Sequence, residues 1–279
     1  MGRSALRDLA ERHGISPTKA LGQHFLVDPN LSRAIVADAG VGKGDRVLEV
    51  GAGLGSLTVA LAEAGCEVLA LELDRALVGA LQEVTERYGD RVRVVIEDAM
   101  RADWNAILPG RGWAMVSNLP YNVSVPLVLD LLRSVPGIDR YLVMVQREVG
   151  ERLVAKPGEE AYGAVSVRVA YRADARSVRR VRADVFWPRP KVGSVLVRLI
   201  PHPPPVEVDP DALFAVVDRG FAERRKTMSN ALRRLGLDAA SALRLMEQSG
   251  LDPQVRAERL GLVEFAHITR ALLSEGWSP

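Results

Sequence analysis

The chain has 279 residues, 48% hydrophobic and 26% charged, the composition of a globular protein with room for one large domain and a smaller companion. Its net charge of +2 does not by itself announce a nucleic-acid partner. Its single cysteine, Cys66, excludes an internal disulfide and a cysteine-based zinc site and reads as a core filler in a reducing compartment.

No apolar run approaches the length of a membrane-spanning helix and the N-terminus lacks an apolar signal core, so the expected location is cytoplasmic, away from membranes. Residues 1–20 are polar and basic, with a short helix expected at Ser4–His13 and broken by Gly14-Ile15-Ser16-Pro17. Lys19 to Leu26 then mixes basic, polar and aromatic side chains. Asp28-Pro29 opens a helix that runs to about Ala39. From there strands alternate with helices. Val47–Val50, Glu67–Leu73, Val92–Ile96, a strand ending in Met115-Val116, and Tyr141–Val145 read as near-continuous apolar strands. Helical patterns through Leu57–Ala64, Leu77–Val84 and Val125–Leu132 fall between them. This pattern predicts an α/β fold with a doubly wound, mostly parallel sheet.

After a helix at Glu148–Val154, two more strands are expected, Ala164–Tyr171 and Ser194–Leu199. Only a basic, proline-containing loop joins them, so they should pair antiparallel at one sheet edge. Pro201-His202-Pro203-Pro204-Pro205 is a stiff linker and the clearest boundary, dividing residues 1–200 from a small all-α domain, residues 206–279. Its helices are expected at Asp209–Phe221, Lys226–Leu235, Ala239–Gln248 and Val263–Ser274.

Charge is uneven along the chain. Nine Lys/Arg face two acids between Arg168 and Arg198, among them Arg179, Arg180, Arg182 and Lys191. Six face one acid between Arg219 and Arg234, including Arg224-Arg225-Lys226. Such clusters are either solvated faces or surfaces for RNA phosphates.

The strand ends carry the chemistry. Glu49-Val50-Gly51-Ala52-Gly53-Leu54-Gly55 joins a strand to a helix through three glycines, which let a ligand approach the backbone at a helix N-terminus. Its G-x-G-x-G spacing differs from the dinucleotide G-x-G-x-x-G. Glu72 closes the next strand 21 residues after Gly51, where a carboxylate can accept both hydroxyls of a ribose. Asp98 closes the third strand. The fourth ends in Ser117-Asn118-Leu119-Pro120-Tyr121-Asn122, which places an amide, a proline and a flat ring at the same edge. These groups suit an exocyclic amine held by hydrogen bonds beside an aromatic face. A plain turn is the alternative.

Taken in order, Gly22-Gln23-His24-Phe25-Leu26, the Glu49–Gly55 loop, Glu72-Leu73-Asp74, Glu97-Asp98-Ala99-Met100, Asn118-Leu119-Pro120-Tyr121-Asn122 and Phe186-Trp187-Pro188-Arg189-Pro190-Lys191-Val192-Gly193-Ser194 resemble the ribosomal RNA adenine N6-dimethyltransferase family. The resemblance spans nearly the whole chain and is nearest to the small-subunit branch. His24 stands where family members often carry Asn. The resemblance implies a Rossmann-like class I methyltransferase sheet, S-adenosylmethionine as methyl donor and no metal. It places His24 and Leu26 at the donor's methionine end, and Gly51, Gly53 and Gly55 along its amino-acid and ribose portion. Glu72 would hold the ribose, Asp98 the adenine amine, and Asn118 would sit between donor and target. With Pro120 between them, Asn118 and Tyr121 would hold the target adenine, and Phe186 would cover its other face; core packing is the alternative for Phe186.

The implied substrate is a pair of adjacent adenosines in the 3′-terminal hairpin of 16S rRNA, within an assembling small ribosomal subunit; a monomer suffices. Arg179, Arg180, Arg182, Lys191, Arg224, Arg225 and Lys226 would hold RNA phosphates. Rival readings are a large-subunit rRNA methyltransferase of the macrolide-resistance type, an assembly or transcription factor without catalysis, a DNA adenine methyltransferase and a nicotinamide dehydrogenase.

Overall fold

In the computed structural model, residues 1–17, 22–223 and 225–279 are described; Lys19, Ala20 and Leu21 of the segment singled out above, and Arg224, lie outside the described residues. The chain divides into two compact units, one of Met1–Gly150 with Ala175–Pro201, the other of Glu151–Asp174 with His202–Pro279.

The first unit begins with α1 (Arg3–Arg12), β1 (Phe25–Leu26) and α2 (Pro29–Ala39), then alternates: β2 (Arg46–Val50), α3 (Ser56–Glu63), β3 (Glu67–Glu72), α4 (Arg75–Thr85), β4 (Val92–Ile96), α5 (Trp104–Ile107), β5 (Trp113–Asn118), α6 (Ser124–Ser134) and β6 (Ile138–Gln146). Local chemistry sets several boundaries. Asp28 accepts hydrogen bonds from the Asn30 and Leu31 amides and Pro29 occupies the first turn, so α2 starts there. Asp74 caps α4 in the same way, through the Ala76 amide. Between the helices, Val47, Leu48, Val68, Leu69, Ala114 and Met115 are buried, as a sheet covered on both faces requires. Cys66 is buried in this core.

With β7 (Ala173–Val181) and β9 (Ser194–Pro201), these strands form a seven-stranded sheet in the order β4-β3-β2-β5-β6-β9-β7. Pairs β2–β3, β3–β4, β2–β5 and β5–β6 are parallel, and β9 runs antiparallel to β6. The chain winds outward from β2 to β4, then returns to the other side of β2 with β5. The order therefore reverses between β2 and β5, which is where an open α/β sheet leaves a crevice. Pairing of β2 with β5 covers only Arg46 to Leu48. Beyond it the Val50 amide donates instead to the Ser117 hydroxyl at 2.9 Å. A separate two-stranded sheet joins β1 to β8 (Phe186–Trp187), with Phe25 opposite Trp187 and Leu26 opposite Phe186.

One expected strand is a helix. Ala164–Ala170 forms α8, after α7 (Arg147–Val154). Val165, Val167 and Val169 alternate as a strand would, but Ser166 decides otherwise. Its hydroxyl accepts the Gly163 amide (3.1 Å) and donates to the Arg152 carbonyl (2.6 Å), starting a helix whose Val167 and Tyr171, one turn apart, are both buried. The strand comes one segment later, as β7. Only its end residues, Ala173 and Val181, are buried, and its arginines made it read as a basic loop. A charged edge strand of this kind resists pairing with another chain.

The second unit packs α9 (Pro210–Phe221), α10 (Met228–Arg233), α11 (Ala239–Gln248) and α12 (Leu262–Ser274) around Leu213, Val217, Leu232, Leu245, Met246 and Phe265. Tyr162, Val167 and Tyr171 belong to the same core. The Tyr162 hydroxyl donates to the Leu260 carbonyl at 2.8 Å, and Arg168 forks onto Asp218 through two 2.9 Å bonds. By packing, residues 151–174 therefore go with the helical tail, whereas a cut at the proline run leaves them with residues 1–200.

Gly55 caps α3 with φ +81°, and a Cβ there would lie 2.8 Å from Val84 Cγ2 and 2.9 Å from Leu81 Cδ1. Gly55→Ala is expected to cost about 1–3 kcal/mol of stability through both strain and overpacking. Urea unfolding measures this, and an unshifted midpoint would contradict the packing.

Candidate functional site

The crevice at the switch point is a cleft open to solvent. Its floor is the glycine loop between β2 and α3. Gly51 (φ +74°) approaches β5 so closely that a Cβ would lie 3.1 Å from Pro120 Cδ. At Gly53 (φ +58°) a Cβ would meet the Phe25 ring at 3.0 Å. Only glycine satisfies both the left-handed backbone and this contact.

Glu72 holds the loop. Its carboxylate accepts the Gly53 amide at 2.7 Å on one oxygen and the Asp74 amide at 2.9 Å on the other. Burial pushes its pKa up, and those backbone bonds pull it down. Each oxygen keeps a further lone pair, so a diol can still be accepted from the cleft. Asp98 follows β4 with its carboxylate accepting the Met100 amide at 2.9 Å, and it lines the cleft with Ala99 and Met100.

The opposite wall is the end of β5. The Asn118 amide nitrogen donates to the His24 carbonyl at 3.2 Å, which leaves Oδ1 as the side chain's acceptor. Tyr121 lies with its ring centroid 5.3 Å from that of His24, and its hydroxyl is 2.8 Å from Ser194 Oγ. Burial raises the Tyr121 pKa and the Ser194 bond lowers it. The His24 ring donates from Nδ1 to the Pro188 carbonyl at 2.7 Å, and Gln23 Nε2 donates to Asp74 at 2.7 Å. Residues 22–26 thus form a strap along the cleft, with Leu26 on its wall.

The structure therefore brings His24, Leu26, Gly51, Gly53, Glu72, Asp98, Asn118, Pro120 and Tyr121 to one cleft. It does not bring two others. Gly55 lies behind the loop against α4, where it serves packing. Phe186 has 0% exposure and packs with Leu26, Val181 and Leu196, so its ring cannot cover a base in this conformation. The reason is its pairing with Leu26 across the β1–β8 ladder, which turns the ring inward. Core packing is what it does.

Two buried polar side chains on the wall carried no assigned role in the sequence. Glu49 is 1% exposed, and its Oε2 has no partner; Ser56 Oγ is also buried and unpartnered. Burial pushes the Glu49 pKa up to about 8, with Thr58 opposing the rise and nearby Glu72 adding to it. The signal was an acid inside the apolar run Val47-Leu48-Glu49-Val50. Orphaned polar atoms, acids and close-approach glycines together fit a nucleoside with a polar, cationic extension.

The basic residues lie on the surface. Arg179 pairs with Asp38 at 2.6 Å and Arg182 with Asp184 at 2.9 Å, while Arg180, Lys191, Arg225 and Lys226 are exposed. An exposed pair such as Arg182–Asp184 is worth at most about 1 kcal/mol, whereas Arg179 forks onto the half-buried Asp38 through two bonds of 2.6 and 2.9 Å. Among the described residues no group of His, Cys, Asp or Glu could hold a metal ion, and no helix is long and apolar enough to cross a membrane.

Comparison with known proteins gives a consistent picture. A family profile described as ribosomal RNA adenine dimethylase matches residues 16–272. The chain is 46% identical over 268 residues to the ribosomal RNA small subunit methyltransferase A of Thermobifida fusca, covering 94% of this chain and 93% of that one. It is 43% identical over 276 residues to the protein of the same name from Acidothermus cellulolyticus, covering 97% and 94%. In fold it is similar to a dimethyladenosine transferase from Plasmodium falciparum, with a TM-score of 0.77, 23% identity and coverage of 91% and 99%. It is also similar to the 23S rRNA methyltransferase ErmE, with a TM-score of 0.68, 22% identity and coverage of 89% and 99%.

Glu49 makes a prediction about pH. A carboxyl held at about 8 when folded favours the folded state fully below its unfolded pKa, and loses that stabilisation as pH rises through 8. Glu49→Gln abolishes the ionisation, so the variant should gain stability relative to the parent between pH 5 and pH 8. Urea midpoints at the two pH values test this; an equal difference at both would contradict a buried, neutral Glu49.

Proposed function

The chain belongs to the ribosomal RNA adenine dimethylase family, and from that premise we propose that it transfers methyl groups from S-adenosylmethionine to N6 of two adjacent adenosines in the 3′-terminal hairpin of 16S rRNA. It is a methyltransferase, and its substrate is rRNA. One observation carries the finer reading: Glu72 and Asp98 stand on one side of the switch-point cleft, Asn118 and Tyr121 on the other.

When bound, the donor supplies a methyl group made electrophilic by its sulfonium. Glu72 would accept the ribose hydroxyls, Asp98 the adenine amine, and the glycine loop would pass beside the amino-acid portion. The target amine is a poor nucleophile because its lone pair is delocalised into the purine. Accepting its N–H groups on Asn118 Oδ1 and a neighbouring backbone carbonyl favours a tetrahedral nitrogen aimed into the cleft. Tyr121 offers the flat face for a base taken out of its helix. No strong base is required, since the proton can leave after transfer. The rate comes from alignment and from dipoles fixed in advance.

Arg179, Arg180, Arg182 and Lys191 of the first unit and Arg225 and Lys226 of the second would hold phosphates of a folded RNA recognised by shape. The reaction then belongs in the cytoplasm, on an assembling small subunit, with a monomer sufficient. The relatives' names favour the small subunit over the large, and Asn118, Pro120 and Tyr121 in place favour catalysis over an assembly role alone.

Methyl transfer from labelled S-adenosylmethionine to undermethylated small subunits, with large subunits in parallel, tests this reading. Dimethyladenosine from small subunits alone is expected, and label in large subunits would move the protein to the other branch. Asn118→Ala should lower turnover by about 10²–10³ while donor affinity stays within about threefold. Glu72→Ala should weaken the donor by about tenfold or more. Unchanged turnover in the first variant, or unchanged affinity in the second, would contradict the assignment.

A further inference from the structure

Three segments distant in sequence meet at His24. Its imidazole donates from Nδ1 to the Pro188 carbonyl at 2.7 Å; because a carbonyl only accepts, the proton must sit on Nδ1. Its main-chain carbonyl accepts the Asn118 amide at 3.2 Å. Its ring lies against Tyr121, whose hydroxyl reaches Ser194 Oγ at 2.8 Å. These contacts close a circuit that runs from Asn118 to His24, to residues 188–194, to Tyr121, and back along the chain to Asn118. The neighbours of His24 reinforce it. Leu26 pairs with Phe186 and Phe25 with Trp187, and the Val27 amide donates to the Val185 carbonyl at 2.9 Å.

The circuit has a consequence for Asn118. The amide nitrogen of an Asn and its oxygen compete for the same two positions, and here the His24 carbonyl selects the nitrogen. The direction in which Oδ1 points is thus fixed by where the His24 backbone lies. That backbone is held in turn by the side-chain bond to Pro188. His24 is half-buried, and its imidazole spans from this strap to the Pro188 carbonyl.

We propose that His24 is a positioning residue that couples the seating of segment 185–194 to the orientation of Asn118, so that the acceptor for the target amine is aligned only when that segment is in place. This rests on the methyltransferase reading above for what Asn118 accepts, but not for the coupling itself. The role differs from a donor contact: it acts on the target side, through Asn118, and leaves the donor's own holders, Glu72 and Asp98, untouched.

The test uses the full-length protein with His24→Ala, His24→Asn, Ser194→Ala and the double variant His24→Ala/Ser194→Ala. An Asn amide nitrogen overlays the Nδ1 side of an imidazole and can donate to the same carbonyl, so His24→Asn should rescue. Three readouts are taken: S-adenosylmethionine affinity by calorimetry, backbone hydrogen exchange over residues 185–194, and turnover at saturating donor on undermethylated small subunits.

Expected for His24→Ala are faster exchange over 185–194 and turnover at saturating donor lower by about ten- to a hundredfold, beyond any change in donor Kd. His24→Asn should restore most of both. In the double variant the losses should fall short of multiplicative, since both substitutions open one circuit. A weakened donor Kd with normal exchange and normal saturated turnover would overturn the proposal and make His24 a donor contact. Fully multiplicative losses would also overturn it. If the parent transfers no methyl group, the functional reading fails, while exchange in His24→Ala and its recovery in His24→Asn still decide the coupling.

Discussion

The hydrogen bond from the Val50 amide to the Ser117 hydroxyl marks the place on which the site depends. Up to Leu48 and Met115, β2 and β5 pair as parallel neighbours; beyond them a side chain replaces the ladder. An amide left bare in the core would be costly, so the strands can part only because Ser117 satisfies it. Parting creates the crevice, and the crevice admits the glycine loop. Gly51 then seats against Pro120, so the two walls are built against each other rather than independently. Substituents on either would wedge them apart.

Charge is sorted by depth. The cleft is lined by Glu49, Glu72, Asp74, Glu97 and Asp98, while arginines and lysines occupy the outer surface and the edge strand β7. The cleft wall is thus acidic and the outer surface basic. Burial of Glu49 next to Glu72 keeps the inner charge from accumulating, since the more enclosed acid resists ionisation. On that outer surface Arg180 and Lys191 are exposed, whereas Arg179 forks onto Asp38 through two bonds.

What was legible in the sequence was whatever depends on local chemistry. Asp28 and Asp74 announced two helix starts, the apolar runs announced the parallel strands, and a glycine loop, two acids and an amide at four strand ends announced one shared edge. What was not legible depends on long-range packing. Val165, Val167 and Val169 alternate like a strand, yet the Ser166 hydroxyl and the burial of Val167 with Tyr171 make a helix, and that helix packs with the tail rather than the sheet. Phe186 read as an exposed ring because its neighbours are basic and proline-rich, whereas register with Leu26 turns it into the core. Gly55 shares the motif of Gly51 and Gly53 but faces α4. Ser117 carried no signal, since its task exists only once β2 and β5 are side by side.

The proposed function requires that one cleft present a target adenine to Asn118 and Tyr121 while Glu72 and Asp98 hold the donor. A structure of the protein with S-adenosylhomocysteine and an RNA hairpin carrying two adjacent unmethylated adenosines measures this most directly. The expected complex has the flipped adenine with N6 in hydrogen-bonding distance of Asn118 Oδ1, its face against Tyr121, and the ribose of the donor product on Glu72. An adenine held elsewhere, or a donor product seated away from Glu72, would contradict it.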